Sequence, residues 1–231
     1  MTVAIHNIAE MAKVTGFQLA PFFKSAILYF VFYKFDYYDS NLLSTILKCA
    51  PIFYLMIFLL MNDYKEPRQI RHKRFLLSAL FFSLIGDIML DYKAGGEDAF
   101  AIGMGSFAVA QIIYVISFGF KPLRLIIGLA FYAVGGSVIA VIFKNFNGIF
   151  MIAIPIYSLL LETMVWRACA RVINIKSIPQ ICCALGAVSF IISDCLIAVN
   201  MFYKPMHNAQ IYIMVTYYLA QLGITLSVLD V

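Results

Sequence analysis

Charged residues are scarce in this chain. Lysine and arginine number 17 and aspartate and glutamate 12 among 231 residues, so that 13% of the chain is charged, whereas 63% is hydrophobic. A soluble domain is about a quarter charged and about half apolar. The shortage of charge excludes a soluble globular enzyme. Because the apolar residues fall in blocks of about 20, the length with which a helix crosses a bilayer, the composition predicts an all-α integral membrane protein.

Histidine and cysteine are too few and too scattered to suggest a metal or redox centre. The three histidines, His6, His72 and His207, fall in predicted termini or loops, and a zinc site needs a clustered ligand set. The five cysteines form no CxxC pair, and we interpret them as small buried apolar residues. No cofactor and no metal is expected.

A cleavable signal is also missing, because the first sixteen residues lack a basic start followed by an apolar core. We expect residues 1–16 to form a cytoplasmic N-terminal segment and residues 17–231 a single transmembrane domain of eight helices. The predicted spans are Phe17–Tyr33, Leu42–Met61, Phe75–Leu90, Ala99–Phe118, Leu123–Phe143, Ile149–Ala168, Ile178–Phe202 and Ile211–Leu229. Short connections, such as residues 36–41, predict that consecutive helices run antiparallel.

Basic residues are unevenly distributed over the predicted connections. The side that holds both termini carries eleven: Lys13, Lys65, Arg68, Arg71, Lys73, Arg74, Lys121, Arg124, Arg167, Arg171 and Lys176. The opposite side carries four: Lys34, Lys93, Lys144 and Lys204. Cytoplasmic loops of membrane proteins hold an excess of lysine and arginine. Both termini are therefore predicted to be cytoplasmic, and the net charge of +5 does not indicate a nucleic-acid partner.

Two aspartates interrupt the apolar runs: Asp87 in the third span and Asp194 in the seventh. An acid inside a membrane helix costs at least a few kcal/mol and usually has a function. At 1.5 Å per residue, Asp87 lies about 18 Å and Asp194 about 24 Å from the predicted cytoplasmic ends, and Lys48 lies about 9 Å below the opposite face. All three residues are predicted to meet in the non-cytoplasmic half of the bilayer.

This arrangement predicts acid–base chemistry. Lys48 is one cation for two carboxyls, so one of them can stay protonated at neutral pH. A protonated and an ionised carboxyl facing one cavity are the minimum for general acid–base hydrolysis. The alternative is an ion pair between Asp87 and Lys48 that only holds the bundle together. Asp91 is expected to be a solvated residue at a helix end, and Glu162 and Arg167 to form a structural ion pair.

Short strings recur in the two halves of the chain. Pro51-Ile-Phe-Tyr, Gly86-Asp87 and Ala110-Gln111 are followed in the same order by Pro155-Ile-Tyr, Ser193-Asp194 and Ala220-Gln221. Four helices per half would make the halves parallel repeats related by an axis along the membrane normal. Chance recurrence of such short strings is the alternative.

Further polar residues lie on the fourth and eighth predicted helices. Gln111 and Tyr114 are three positions apart on the fourth, and Tyr217, Tyr218 and Gln221 share a region of the eighth. They are predicted either to contact a substrate or to link helices by hydrogen bonds.

These residues also belong to a pattern that resembles the YhhN-type lysoplasmalogenase family from about Lys48 to the C-terminus. The pattern consists of Gly86-Asp87-x-x-Leu90, Phe100-x-x-Gly103, Phe107, Gln111-x-x-Tyr114, Pro155, Tyr157, Met164, Gly186-Ala187, Phe190, Ser193-Asp194 and Tyr217-Tyr218-x-Ala220-Gln221. Many members carry a histidine where this chain has Gln111.

The resemblance implies a multi-pass hydrolase that cleaves the vinyl ether bond of lysoplasmalogens. The products would be a fatty aldehyde and glycerophosphoethanolamine or glycerophosphocholine. The implied partners are a lysophospholipid substrate and the bilayer, in the endoplasmic reticulum or another intracellular membrane, and a homo-oligomer is left open. Asp87 and Asp194 would be the catalytic pair, and Lys48 with the polar residues of the fourth and eighth helices would bind the substrate.

Two other functions fit the same sequence features. Internal repeats, charges near the middle of the membrane and proline or glycine in helices are also typical of transporters, so the chain could carry an amphiphilic solute. A non-catalytic lipid-binding protein with the same fold is the third possibility.

Overall fold

The structure of the chain is a computed structural model that describes residues 8–34, 42–92, 95–172 and 177–230. These residues fold into eight long α-helices. The helices are α1 (Ile8–Lys34), α2 (Leu42–Met61), α3 (Pro67–Asp91), α4 (Gly96–Phe118), α5 (Leu125–Ile142), α6 (Phe150–Ala170), α7 (Ile178–Phe202) and α8 (Ala209–Leu226). Short 3-10 turns follow α5 at Phe143–Asn145 and α8 at Ser227–Leu229. The predicted all-α fold with eight long helices is confirmed.

Seven helices of the described part are long and apolar enough to cross a membrane. The exception is α3, whose first turns are basic and whose last turns contain two aspartates. Long apolar runs become helical in lipid because every backbone N–H and C=O must be hydrogen-bonded within the segment. The protein is thus an integral, multi-pass membrane protein.

The observed helices follow the predicted spans closely, with two exceptions at their starts. α2 and α7 have the predicted bounds, whereas α1 begins at Ile8 and α3 at Pro67. Proline suits the first turn of a helix because its missing N–H would have no intrahelical partner there. Because α3 starts early, His72 lies within a helix, and its predicted loop position is wrong. His6, Lys93, Lys176 and the predicted loop at 36–41 lie outside the described residues.

The helices form two compact units of four. The first unit comprises residues 1–117 with 176–178 and 228–231, and the second comprises residues 118–175 and 179–227. Each unit thus holds four of the eight long helices of the described residues. That one half repeats the other, that the halves are parallel, and that residues 17–231 are one domain stay predictions.

Glycines allow the helices that carry the aspartates to approach their neighbours closely. In the first unit, a Cβ placed on Gly86 of α3 would lie 2.5 Å from the Phe107 ring of α4. In the second unit, a Cβ placed on Gly186 of α7 would lie 2.8 Å from the carbonyl oxygen of Ala220 in α8. Small residues at helix contacts are the usual means of close packing in membranes. Asp87 directly follows Gly86, so this contact fixes its place on α3.

Candidate active site

In the first unit, Asp87 lies beside a lysine that reaches across from α2. The Lys48 ammonium donates a hydrogen bond to the main-chain carbonyl of Asp87 at 3.0 Å. Both side chains are buried: Lys48 is 4% exposed and Asp87 2%. Sequence reasoning correctly placed Lys48 next to Asp87. Lys48 also forms an ion pair with Asp91, whose Oδ1 lies 4.0 Å from the ammonium nitrogen.

Asp91 is the residue of this unit that sequence reasoning placed wrongly. It was expected to be solvated, but it is only 7% exposed. Besides pairing with Lys48, it accepts a hydrogen bond from the Thr45 hydroxyl of α2. Thr45 and Lys48 are three residues apart and therefore project from the same face of α2. This face covers the last turn of α3 and removes Asp91 from solvent.

Gln111 and Tyr114 lie on α4, the helix that packs against α3 at Gly86. Both side chains are fully buried. Within the described part of the chain, neither the amide nitrogen nor the amide oxygen of Gln111 has a hydrogen-bond partner. A buried amide with no partner costs free energy, so each such group needs an explanation such as a water or a ligand. Gln111 is therefore a good candidate for contact with a polar ligand.

In the second unit, Asp194 of α7 is held by a tyrosine from α6. The Tyr157 hydroxyl donates a hydrogen bond to Asp194 Oδ2 at 2.6 Å, and the Asp194 side chain is half-buried. The preceding residue, Ser193, donates to the main-chain carbonyl of Ile213 in α8 at 3.1 Å. Asp194 is thus fixed through its own carboxyl on one side and through its neighbour's hydroxyl on the other.

The three predicted binding residues of α8 lie in the interior of the second unit. Tyr217, Tyr218 and Gln221 are each less than a twentieth exposed. The Tyr217 ring meets the Phe190 ring of α7 edge to face, with centroids 5.8 Å apart. Phe190 lies one turn before Asp194, so the aromatic residues of α8 pack against the face of α7 that leads to the carboxyl.

The predicted ion pair between Glu162 and Arg167 is wrong: in the described part of the chain, the two side chains have other partners. Glu162 accepts a hydrogen bond from Ser158 at 2.7 Å, and Arg167 donates to main-chain carbonyls of the α4–α5 connection. The reason is geometric. Residues five apart on a helix with 3.6 residues per turn project in directions about 140° apart, so the two side chains face different neighbours.

The structure therefore groups the predicted residues within each unit. Asp87 and Lys48 lie together in the first unit, and Asp194 belongs to the second. That the two aspartates face one cavity stays a prediction. Sequence reasoning missed the contact of Tyr157 with Asp194, although Tyr157 is part of the motif pattern, and it missed Thr45, which lies one helical turn before Lys48.

Comparison with known proteins shows which family the chain belongs to. The sequence profile of the YhhN family matches residues 43–228, which include α3, α4 and all of the second unit. The chain belongs to the YhhN family. Human lysoplasmalogenase TMEM86A is 34% identical over 228 residues, 95% of this chain and 92% of that protein. The Bos taurus TMEM86A is 33% identical over 227 residues, with 95% and 92% covered.

A second group of relatives is also named lysoplasmalogenase. Human lysoplasmalogenase TMEM86B is 31% identical over 228 residues, which cover 99% of this chain and 93% of that protein. No solved structure matches the chain significantly. The predicted family is therefore confirmed, and the matched region begins close to Lys48, where the sequence resemblance was predicted to begin.

Proposed function

We propose that this YhhN-family chain hydrolyses the vinyl ether bond of lysoplasmalogens, with Asp87 and Asp194 as its acid–base groups. The observation that carries the activity is the near full-length similarity to proteins named lysoplasmalogenase, which makes the chain a lysoplasmalogenase-type enzyme. The assignment of the aspartates rests on different evidence. It is supported by an Asp87 that is buried on α3 and by an Asp194 whose carboxyl is held by Tyr157.

The reaction needs a proton donor and a group that activates water. A vinyl ether hydrolyses when a proton is delivered to the alkene carbon farther from the ether oxygen, which leaves an oxocarbenium ion at the carbon attached to that oxygen. Water adds to that cation, and the resulting hemiacetal breaks down to a fatty aldehyde and a glycerophospho-alcohol. A protonated aspartic acid delivers the proton, and an aspartate stabilises the cation and takes a proton from water, as paired carboxyls do in glycoside hydrolysis.

The remaining residues are proposed to position the substrate. A single-chain lysophospholipid enters from the bilayer with its tail among apolar helices. Lys48, already desolvated beside Asp87, attracts the phosphate of the headgroup. Gln111 has unmatched hydrogen-bonding atoms on the helix packed against α3. The other proposed substrate-binding residues are Tyr114, Tyr217, Tyr218 and Gln221.

The proposal includes an orientation and a compartment. The excess of basic residues in one set of connections supports cytoplasmic termini. An intracellular membrane such as the endoplasmic reticulum is the proposed location, by analogy with the YhhN family. The bilayer is both the solvent of the protein and the source of its substrate.

The test is aldehyde release by the purified protein in detergent, detected with an aldehyde dehydrogenase and NAD. The wild type should release aldehyde from a lysoplasmalogen but not from the acyl lysophospholipid with the same tail and headgroup, which lacks the vinyl ether. Asp87→Asn and Asp194→Asn should each reduce the rate by about 100-fold or more, because an amide cannot transfer the proton. Normal activity per folded molecule in both variants would make the aspartates structural.

The same assay separates the competing functions, because detergent solution has no compartments. A transporter would move an amphiphile into liposomes without breaking it down and would release no aldehyde in detergent. A non-catalytic lipid-binding protein would bind the lysoplasmalogen and leave it intact.

A further inference from the structure

A fully buried arginine lies near the C-terminal end of α6, outside the candidate active site. The Arg167 side chain is 0% exposed. Its Nε donates to the carbonyl of Gly119 at 2.6 Å, and its Nη1 donates to the carbonyls of Pro122 at 2.9 Å and Leu123 at 3.3 Å. The connection between α4 and α5 is therefore wrapped around this guanidinium.

No described residue forms an ion pair that would balance the positive charge of Arg167. Its hydrogen-bond acceptors are main-chain carbonyls, and its other neighbours are aromatic: Cζ lies 5.6 Å from the centroid of Phe120 and 5.2 Å from that of Trp166. Among the described residues, the charged group that acts on it is another cation, Arg171, which directly follows the end of α6. Buried charges in proteins are normally paired with an opposite charge, because an unpaired one is costly.

One nitrogen of Arg167 also lacks a partner. Its Nη2 is buried, and no atom of the described residues accepts a hydrogen bond from it. Holding the α4–α5 connection in place accounts for the hydrogen bonds of Nε and Nη1. It does not account for the burial of Nη2. A water molecule would satisfy Nη2 without balancing the charge, whereas an anion would do both.

We propose that Arg167 and Arg171 form a binding site for a phosphate group. A guanidinium presents parallel N–H donors that match phosphate oxygens, and such charge-assisted bonds are about twice as strong as neutral ones. Arg171 is half-buried and so extends the site from the interior toward the surface. Two exposed cations, Lys121 and Arg124, lie in the wrapped connection, and Arg124 donates to the carbonyl of Val172, just beyond α6, at 2.9 Å.

The position at the end of a membrane-spanning helix suits the phosphate of a phospholipid, because headgroups lie at that level. Free phosphate has the same chemistry and is the other source. A loop arginine that only sets membrane orientation would be exposed and hydrated, whereas Arg167 is neither. The burial of Arg167 thus separates this site from the general excess of basic residues on this side.

The bound phosphate is not that of the substrate undergoing cleavage. Tyr157, which holds Asp194, precedes Arg167 on α6 by ten residues, or about 15 Å of helix. The glycerol backbone that joins the vinyl ether of a lysoplasmalogen to its phosphate is much shorter than this distance. A substrate whose vinyl ether lies at Asp194 therefore cannot place its own phosphate at Arg167, and the site would hold a second, structural or regulatory, ligand.

The test is binding to the purified full-length protein in a maltoside detergent, which contains no phosphate. Inorganic phosphate and a short-chain phosphatidylglycerol are titrated separately, against sodium chloride of equal ionic strength, while thermal unfolding is followed. Saturable stabilisation by both probes indicates a site that recognises the phosphate group whether or not it belongs to a lipid. Stabilisation by the lipid alone indicates a headgroup site, and by phosphate alone a free-anion site. No stabilisation beyond that of sodium chloride by either probe overturns the proposal.

Matched variants test whether the probes bind at the two arginines. Arg171→Gln should weaken the affinity for the effective probe by about tenfold or more, because it removes the more accessible guanidinium. Lys144→Gln removes an exposed cation after α5, in the same unit, and should leave the affinity unchanged. Arg171→Lys keeps the charge but loses the forked pair of N–H donors, so its affinity should lie between those of Arg171→Gln and the wild type. It takes the place of Arg171→Gln if that variant does not fold. An affinity that no Arg171 variant changes would also overturn the proposal. Aldehyde release is a separate measurement, so failure here leaves the proposed activity standing.

Discussion

The two proposed catalytic aspartates are held by different kinds of neighbour. Asp87 has a lysine ammonium at its own main-chain carbonyl, and a second carboxyl, Asp91, pairs with the same lysine. Asp194 accepts a hydrogen bond from a neutral phenol. Different surroundings are the means by which enzymes give two chemically identical carboxyls different roles. At the residue scale, the asymmetry of these contacts is therefore what would divide the labour of acid and base.

Replacing Tyr157 by phenylalanine should test the role of the contact to Asp194. The substitution removes the hydroxyl and keeps the ring, so we expect normal folding. A hydrogen bond contributes about 0.5–3 kcal/mol, and most when one partner is charged, so its loss from the reacting carboxyl should lower kcat for aldehyde release by about 2- to 100-fold.

Tyr132→Phe is the matched control, because it removes a hydroxyl that bonds Thr163 at 2.7 Å in the same unit. It should leave kcat unchanged. A Tyr157→Phe enzyme with the kcat of the wild type would show that the phenol only stabilises the α6–α7 contact.

Residue positions inside the helices were predictable from sequence, whereas residues at helix ends were not. The burial of Asp87 followed from its place in an apolar run. Asp91 was misplaced because its exposure depends on α2, whose Thr45 and Lys48 cover it, and no local pattern contains that contact. Tyr157 was visible only as part of a motif, since its partner Asp194 lies 37 residues away.

At the scale of helices, the seam between α3 and α4 fixes the position of Asp87. Leu90 packs against Gly103 and Phe107 against Gly86, and the His72 ring bonds the Ser117 hydroxyl at 2.6 Å toward the other end. These pairs run in opposite directions along the two helices, so α3 and α4 are antiparallel. Hydropathy predicted the two helices. Their close packing is indicated in the sequence only by Gly86 and Gly103.

Gly86→Ala should disturb this seam. The new Cβ would lie 2.5 Å from the Phe107 ring, and relief of such overpacking typically costs about 1–3 kcal/mol. We expect a lower melting temperature and reduced aldehyde release, because the helix that carries Asp87 must move.

Gly105→Ala on α4 is the control, because nothing lies within 4 Å of where its Cβ would be. It should change neither property. Phe107→Leu in the Gly86→Ala background should restore part of the activity by making room for the methyl group. A Gly86→Ala enzyme that behaves like Gly105→Ala would mean that the seam does not control Asp87.

At the scale of the whole molecule, the eight spans predicted from sequence and the uneven basic charge together predict that both termini lie in the cytoplasm. Protein tags at both ends should resist added protease in sealed vesicles whose cytoplasmic face is inward. Opening the vesicles with detergent should expose both tags. Protection of only one tag would require an odd number of spans. The predicted depths of Asp87 and Asp194, which depend on eight spans, would then be wrong.

The proposed mechanism uses two aspartates, Asp87 and Asp194, so the pH profile of aldehyde release should report on both. Activity should follow a bell: it falls at low pH when the required carboxylate is protonated, and at high pH when the required acid loses its proton. If the groups interact, the two apparent pKa values belong to the pair rather than to either residue. The residual activities of Asp87→Asn and Asp194→Asn should then each lack one limb, and loss of opposite limbs would assign acid and base. Measured kcat/KM that keeps rising into alkaline solution would exclude a carboxyl as the proton donor, and with it this vinyl-ether mechanism.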